Sequence, residues 1–269
     1  MTPIEINQAF LKKRPLSYSS LKQFKVSPLH YMHYLTTPRE SSPAYAIGGA
    51  VDCLIFTPDE FEKRYIVAAE CDRRTKEGKA IYEEFTKLAE GKEVLKKQDF
   101  EACIAMKHSA FMNPISSRFI ERCDNVQVRM EWTDKETGLP MVTIPDGIGE
   151  NVIVSLKSAE SAQPDIFQSQ AIKYNYHLQC AIELDAMAKQ GKFPNYYYVI
   201  LEKSEPYAVT VMKASEDFKQ YGKHLFKNLL QNYKMCLDQK LFHKGYEFWS
   251  VVDYHHLEIP VWAKKQIEQ

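Results

Sequence analysis

The sequence predicts an α/β fold in which helices flank a mixed sheet. Three observations carry that expectation. Apolar residues recur at helical spacing through the first hundred or so residues, and near Val126 the period changes to strict alternation. From there strand-like and helical stretches interleave as far as the long segment after Ser215. One domain is expected over residues 1–269, with 1–115 mainly helical and 116–269 holding the sheet core and a C-terminal helix.

Ser17-Tyr18-Ser19-Ser20 offers N-cap hydroxyls ahead of Leu21 and Phe24, and Pro28 is placed to open the next short helix. Arg39-Glu40-Ser41-Ser42-Pro43 reads as a turn, the nearest approach to a linker. Residues 43–56 then form a helix ending before Pro58, with Ile47, Val51, Leu54 and Ile55 on its apolar stripe. Two more helices are expected near 76–89 and 98–111. Residues 126–132 alternate apolar and polar for seven positions, the mark of a half-buried strand. Residues 134–138 turn the chain, and 141–145 return it as far as Asp146-Gly147. Residues 152–157 are apolar enough at their start to sit centrally in the sheet. Asp165, after Pro164, begins a helical stretch towards Lys189 with a break near Asn175. Strands are expected at 196–201 and 207–212. Ser215 caps a long amphipathic helix that turns Phe218, Tyr221, Leu225, Leu229 and Tyr233 inward.

Composition narrows the function. A hydrophobic fraction of 45% with 26% charged residues excludes a disordered chain. Lys+Arg and Asp+Glu are both 35, so bulk charge announces no nucleic-acid partner and any basic surface is local. The local candidates are Lys12-Lys13-Arg14, Lys22 with Lys25, and Arg73-Arg74 with Lys76, although such runs also serve simply as solvated faces. The six cysteines lie no closer than eighteen residues apart, a pattern of reduced thiols rather than of zinc or iron–sulfur ligation. No glycine-rich phosphate-binding fingerprint occurs. No apolar run approaches the ~20 residues of a membrane span, and MTPIEINQAFLKKRPL lacks a signal-peptide core. A soluble, cytoplasmic protein is the expectation.

Three places offer chemistry. Asp146 ends one strand, and Lys157 lies near the end of the next, on the same face as Ser155. An acid and a lysine so placed can hold a hard divalent ion beside a phosphate, or can form a surface salt bridge. Tyr176, Gln179 and Glu183 share one helical face, as a site or as a polar flank. Asp52 stands among Ile47, Val51, Leu54 and Ile55, where a carboxylate is costly unless paired, metal-bound or turned to water.

In this order, SYSSLKQFKVSP, AIGGAVDCLIFTPDEF, RRTKEGKA, WTDKETGLP, VSLKSAES, KYNYHLQCA and LEIPVWAKK resemble the PD-(D/E)XK nuclease superfamily. The similarity is to its RecE-type (exodeoxyribonuclease VIII) and lambda-type exonuclease branch, from Leu16 to Ala263. The resemblance implies a metal-dependent DNA exonuclease acting on linear duplex ends in phage-type recombination. Asp146 then becomes the principal ligand of Mg²⁺ or Mn²⁺, completed by the Leu156 carbonyl and Asp52. Lys157 stabilises the nucleophile or the developing charge, and Gln179 orients a water or phosphate. Arg73, Arg74 and Lys76 are expected on DNA. The same resemblance implies a ring-shaped homo-oligomer and a single-strand annealing protein as partner.

Four of seven family positions depart from the pattern. The second acid falls on Ser155, the upstream glutamate on Gln127, the helix tyrosine on Glu183 and the histidine on Asp52. A two-metal phosphodiesterase needs carboxylates to offset about four positive charges, and a hydroxyl replaces one poorly for Mg²⁺. Asp52, Glu183 and Glu160 are the carboxylates placed to compensate. A catalytically impaired relative acting as a DNA-end-binding or recombination-partner module is therefore the alternative reading.

Overall fold

The computed structural model describes residues 8–38, 42–250, 254 and 256–259. It opens with helices α1 (Gln8–Lys13), α2 (Tyr18–Val26), α3 (Pro28–Thr36) and α4 (Pro43–Phe56). Ser17 caps α2 in a capping box with Ser20, and Ser27 caps α3 ahead of Pro28. A short helix α5 (Phe61–Arg64) leads into β1 (Tyr65–Val67), followed by α6 (Lys76–Leu88), β2 (Glu93–Leu95), α7 (Lys97–Met112) and α8 (Pro114–Ile120). Then come β3 (Asn125–Val126), β4 (Met130–Thr133), β5 (Pro140–Thr143), β6 (Gly147–Ile148) and β7 (Val152–Ala159). The chain ends through α9 (Pro164–Lys173), α10 (Tyr176–Ala188), β8 (Asn195–Glu202), β9 (Val209–Lys213) and α11 (Glu216–Gln239).

The main sheet has the order β3-β6-β7-β8-β9, with β7 and β8 parallel and the other pairs antiparallel. The α/β expectation therefore holds, and β7 is central as its apolar start suggested. Alternation along β7 divides the core. Val152, Val154 and Leu156 pack with α4, α7 and α8, whereas Ile153 and Ala159 join Tyr196, Tyr198 and Ile200 against α9 and α10. A third cluster joins α1, α2 and α3 to α10 and α11 through Phe24, Tyr31, Leu178 and Tyr233. Each fully buried side chain of this size stabilises by roughly 1.5–3 kcal/mol, against about 1 kcal/mol net for a hydrogen bond. Apolar burial on both faces thus holds β7 in place, and the polar site rides on it.

The structure corrects several expectations. Residues 126–132 are not one strand: β3 pairs with β6 in the main sheet, whereas β4 pairs with β5 in a separate hairpin. Gln127 between them adopts φ 49°, and its N–H donates to the Asp146 carbonyl at 3.1 Å. Alternation reports which face is buried and says nothing of which strand is the partner. Asp146 does not end a strand: β5 stops at Thr143, and Asp146 lies in the bend just before β6, which begins at Gly147. Tyr207 lies in a turn at φ 56°, so β9 starts at Val209. Tyr221 is exposed, and Phe226, Leu230 and Leu237 extend the buried stripe of α11 instead. Helices α1, α5 and α8 and the β1–β2 pair carried no sequence expectation. Residues 39–41 of the expected turn and 260–265 of LEIPVWAKK lie outside the described residues.

Candidate active site

The antiparallel register pairs Gly147 with Val154 and Ile148 with Ile153, which carries Asp146 opposite Ser155. Gly147 is required there: a Cβ would stand 2.6 Å from Cys123 Sγ and 2.9 Å from the Phe56 ring. Asp146 Oδ2 accepts from the Leu156 N–H at 2.8 Å and from Ser155 Oγ at 3.0 Å. Lys157 Nζ donates to the same Ser155 oxygen at 2.7 Å, and its ammonium lies 5.0 Å from the Tyr176 ring centroid. Ser155, fully buried, thus links Lys157 to Asp146, at the position where the sequence resemblance implies an acid.

Asp52 enters from α4. Its Oδ2 accepts a short hydrogen bond from Gln127 Nε2, and Arg64 Nη1 donates to Gln127 Oε1 at 3.4 Å. Its Oδ1 is buried with no partner. Burial, and after it the Asp146 charge, push the Asp52 carboxyl up to about 7, while Lys157, Gln127 and Arg64 oppose the shift. Asp52 and Gln127, distant in the chain, thus meet as a hydrogen-bonded pair. The carboxylate stands on helix α4 and its neutral amide partner just after β3.

Glu183 differs. It is buried on α10, and both oxygens are occupied, by Gln179 Nε2 and by Tyr196 OH, each at 2.8 Å. Burial and the Asp146 charge raise its carboxyl to about 7. Gln179 is thereby engaged with Glu183, whereas Glu160 is bound to Lys203 on the exposed surface. The expected residues Asp52, Gln127, Asp146, Ser155, Leu156, Lys157, Gln179 and Glu183 converge on one end of the sheet. The structure shows no contact from Arg73, Arg74 or Lys76 to that site: Arg73 lies over the Tyr82 ring, and Arg74 is bound to Asp72. Arg64 and Tyr196 went unforeseen. The alternation of Tyr196 and Tyr198 on one strand face was a usable signal for Tyr196, but nothing local singles out Arg64.

Among the described residues, no group of three or more His, Cys, Asp or Glu side chains forms a metal-binding cluster. Asp52 and Asp146 remain as two hard-oxygen donors, one with a buried, unpartnered oxygen. That set fits one Mg²⁺ or Mn²⁺, which characteristically takes one or two carboxylates with waters and substrate phosphates. It does not fit a two-ion site with three acids.

The chain matches the family described as PDDEXK-like domain of unknown function (DUF3799) over residues 17–245. No curated protein matches it. The crystal structure of a candidate exonuclease from Eubacterium rectale superposes with a TM-score of 0.63 at 16% identity, covering 99% of this chain and 97% of that one. That likeness is one of fold. The structure of SSO0001 aligns over 79% of this chain and 84% of its own at a TM-score of 0.28 and 9% identity. No helix among the described residues is long and apolar enough to cross a membrane. With a match that spans most of its length, the chain belongs to this PDDEXK-like family and to the PD-(D/E)XK nuclease superfamily.

Proposed function

We propose that the protein is a divalent-metal-dependent DNA exonuclease acting on the ends of linear duplex DNA. One observation carries the reading: a buried, unpartnered carboxylate oxygen of Asp52 beside the Asp146 charge and Lys157. Two carboxylates crowded together out of water are costly unless a cation joins them. Asp146, Asp52 and the Leu156 carbonyl would hold Mg²⁺ or Mn²⁺, which would supply Lewis-acid polarisation of the phosphate and a more acidic water.

The chain's own residues do the rest. Ser155 holds Lys157 Nζ by hydrogen bond, so the ammonium is positioned to offset charge developing on the phosphate. Tyr176 flanks that ammonium with its ring face, a cation–π contact. Gln127 fixes the Asp52 carboxylate, and Gln179 orients Glu183 behind the site. The RecE-type details rest on the sequence resemblance: action in phage-type recombination, a ring-shaped homo-oligomer and a single-strand annealing partner. Linear duplex labelled at either end tests the reading. Wild type with Mg²⁺ or Mn²⁺ is expected to release nucleotides, whereas chelator and Asp146→Asn abolish release. A wild type that binds ends and releases nothing with either ion overturns it. The second reading, an end-binding module, would then stand, favoured by the absence of a third ligating acid among the described residues.

A further inference from the structure

A groove runs between Lys22, Gln23 and Lys25 of α2 and Lys173, Tyr174 and Asn175 at the α9–α10 junction. No carboxylate lines it. None of its three lysines belongs to an ion pair among the described residues. Lys22 is half-buried, and desolvation pulls its ammonium below the usual range, so an anion there gains more than it would in open water. Lys25 Nζ is steered by a 2.5 Å hydrogen bond to Asn175 Oδ1. Asn175 takes φ 61°, the left-handed bend that separates the two helices.

An aromatic wall completes the groove. Tyr174 is 43% exposed, with Lys173 Nζ 5.8 Å from its ring centroid, and its carbonyl is held by Tyr18 OH at 2.6 Å. Its ring lies 5.9 Å from that of Tyr176, the residue against the Lys157 ammonium. The groove therefore shares a wall with the site. Unpaired ammonium groups along a channel, joined to an exposed aromatic face, suit a single strand: phosphates take the charge, and a base takes the ring.

We infer that this groove holds an unpaired DNA strand, with phosphates on Lys22, Lys25 and Lys173 and a base against Tyr174. The strand's onward course to Asp146 and Lys157 rests on the nuclease reading, but its binding does not. Fluorescence anisotropy in chelator, with a labelled single-stranded oligonucleotide and a blunt duplex, separates the two. The triple variant Lys22→Gln, Lys25→Gln, Lys173→Gln is expected to make the slope of log affinity against log salt shallower by about 2, at about 0.7 per phosphate. Tyr174→Leu is expected to weaken single-strand binding roughly 5- to 150-fold, the range for one stacked base. The double variant Lys22→Gln, Lys173→Gln leaves the Lys25–Asn175 bond intact and still flattens the slope by about 1.4. An unchanged slope in the folded double variant overturns the inference, as does a wild type that binds the blunt duplex but not the single strand. Binding through these lysines without hydrolysis by wild type in Mg²⁺ or Mn²⁺ would overturn the nuclease reading and leave the groove standing.

Discussion

The two halves of the site are built on different principles. The strand half, Asp146 with Ser155, Leu156 and Lys157, comes from two neighbouring strands, and its hydrogen bonds span at most ten residues. Serine and backbone satisfy Asp146 Oδ2 twice over. The helix half joins Asp52 to Gln127 across 75 residues and Gln127 to Arg64 across 63, and it leaves Asp52 Oδ1 without a partner. A buried acceptor left unsatisfied costs about 1–3 kcal/mol. The contrast teaches that the strand half is a stable scaffold, whereas the helix half carries the cost that a bound ion would relieve.

The largest effect should come from the charge that both halves share. Asp146→Asn is expected to lower nuclease activity at least about 100-fold and to remove the heat of Mn²⁺ binding in calorimetry. Unchanged Mn²⁺ affinity would move the metal elsewhere and dissolve the comparison.

Asp52→Asn separates function from packing. It keeps the shape and a partner for Gln127 while removing a charge crowded against Asp146. Activity is expected to fall roughly 10- to 100-fold while the thermal midpoint holds or rises. A lower midpoint with full activity would make Asp52 a structural residue only.

Ser155→Asp restores the family acid between Asp146 and Lys157, and an increase in activity on the order of 10-fold is expected. Flat activity in a folded variant would show that the rest of the site, not Ser155, limits the rate.

The smallest effect concerns a second buried group without partners. Both ring nitrogens of His177 are unpartnered, and its ring packs against Phe218 and Tyr221. Burial, and then Lys25, lower its pKa to about 4, so the folded ring is neutral. The unfolded ring, near 6.5, takes up a proton first. Stability is therefore lost as pH falls from about 6.5 towards 4 and levels off below. His177→Phe should shrink the drop in thermal midpoint between pH 7.5 and pH 5 by a few degrees. Equal drops in both proteins would show that the ring is not the cause. Unlike Asp52, this group sits outside the site, so its removal should leave activity intact.

What was legible in the sequence was local. The Ser17 cap, the α4 boundaries before Pro58, the break at Asn175, central β7 and the shared face of Ser155 and Lys157 each depend on neighbours within a few residues. The resemblance brought Asp52, Gln127 and Glu183 into view as departures, but their roles separated only in space. Glu183 lies among Gln179 and Tyr196, with both oxygens taken, while Asp52 keeps one free.

The sequence by itself determined the α/β order, the helix caps and the acid–lysine strand pair, because these follow from backbone periodicity and short-range hydrogen bonding. Only the tertiary structure decided that β3 and β4 belong to different sheets, that Gln127 meets Asp52, and that Lys173 joins Lys22 and Lys25 in one groove. Those contacts close long loops, and their partners are selected by the burial of both sheet faces rather than by any residue nearby in the chain.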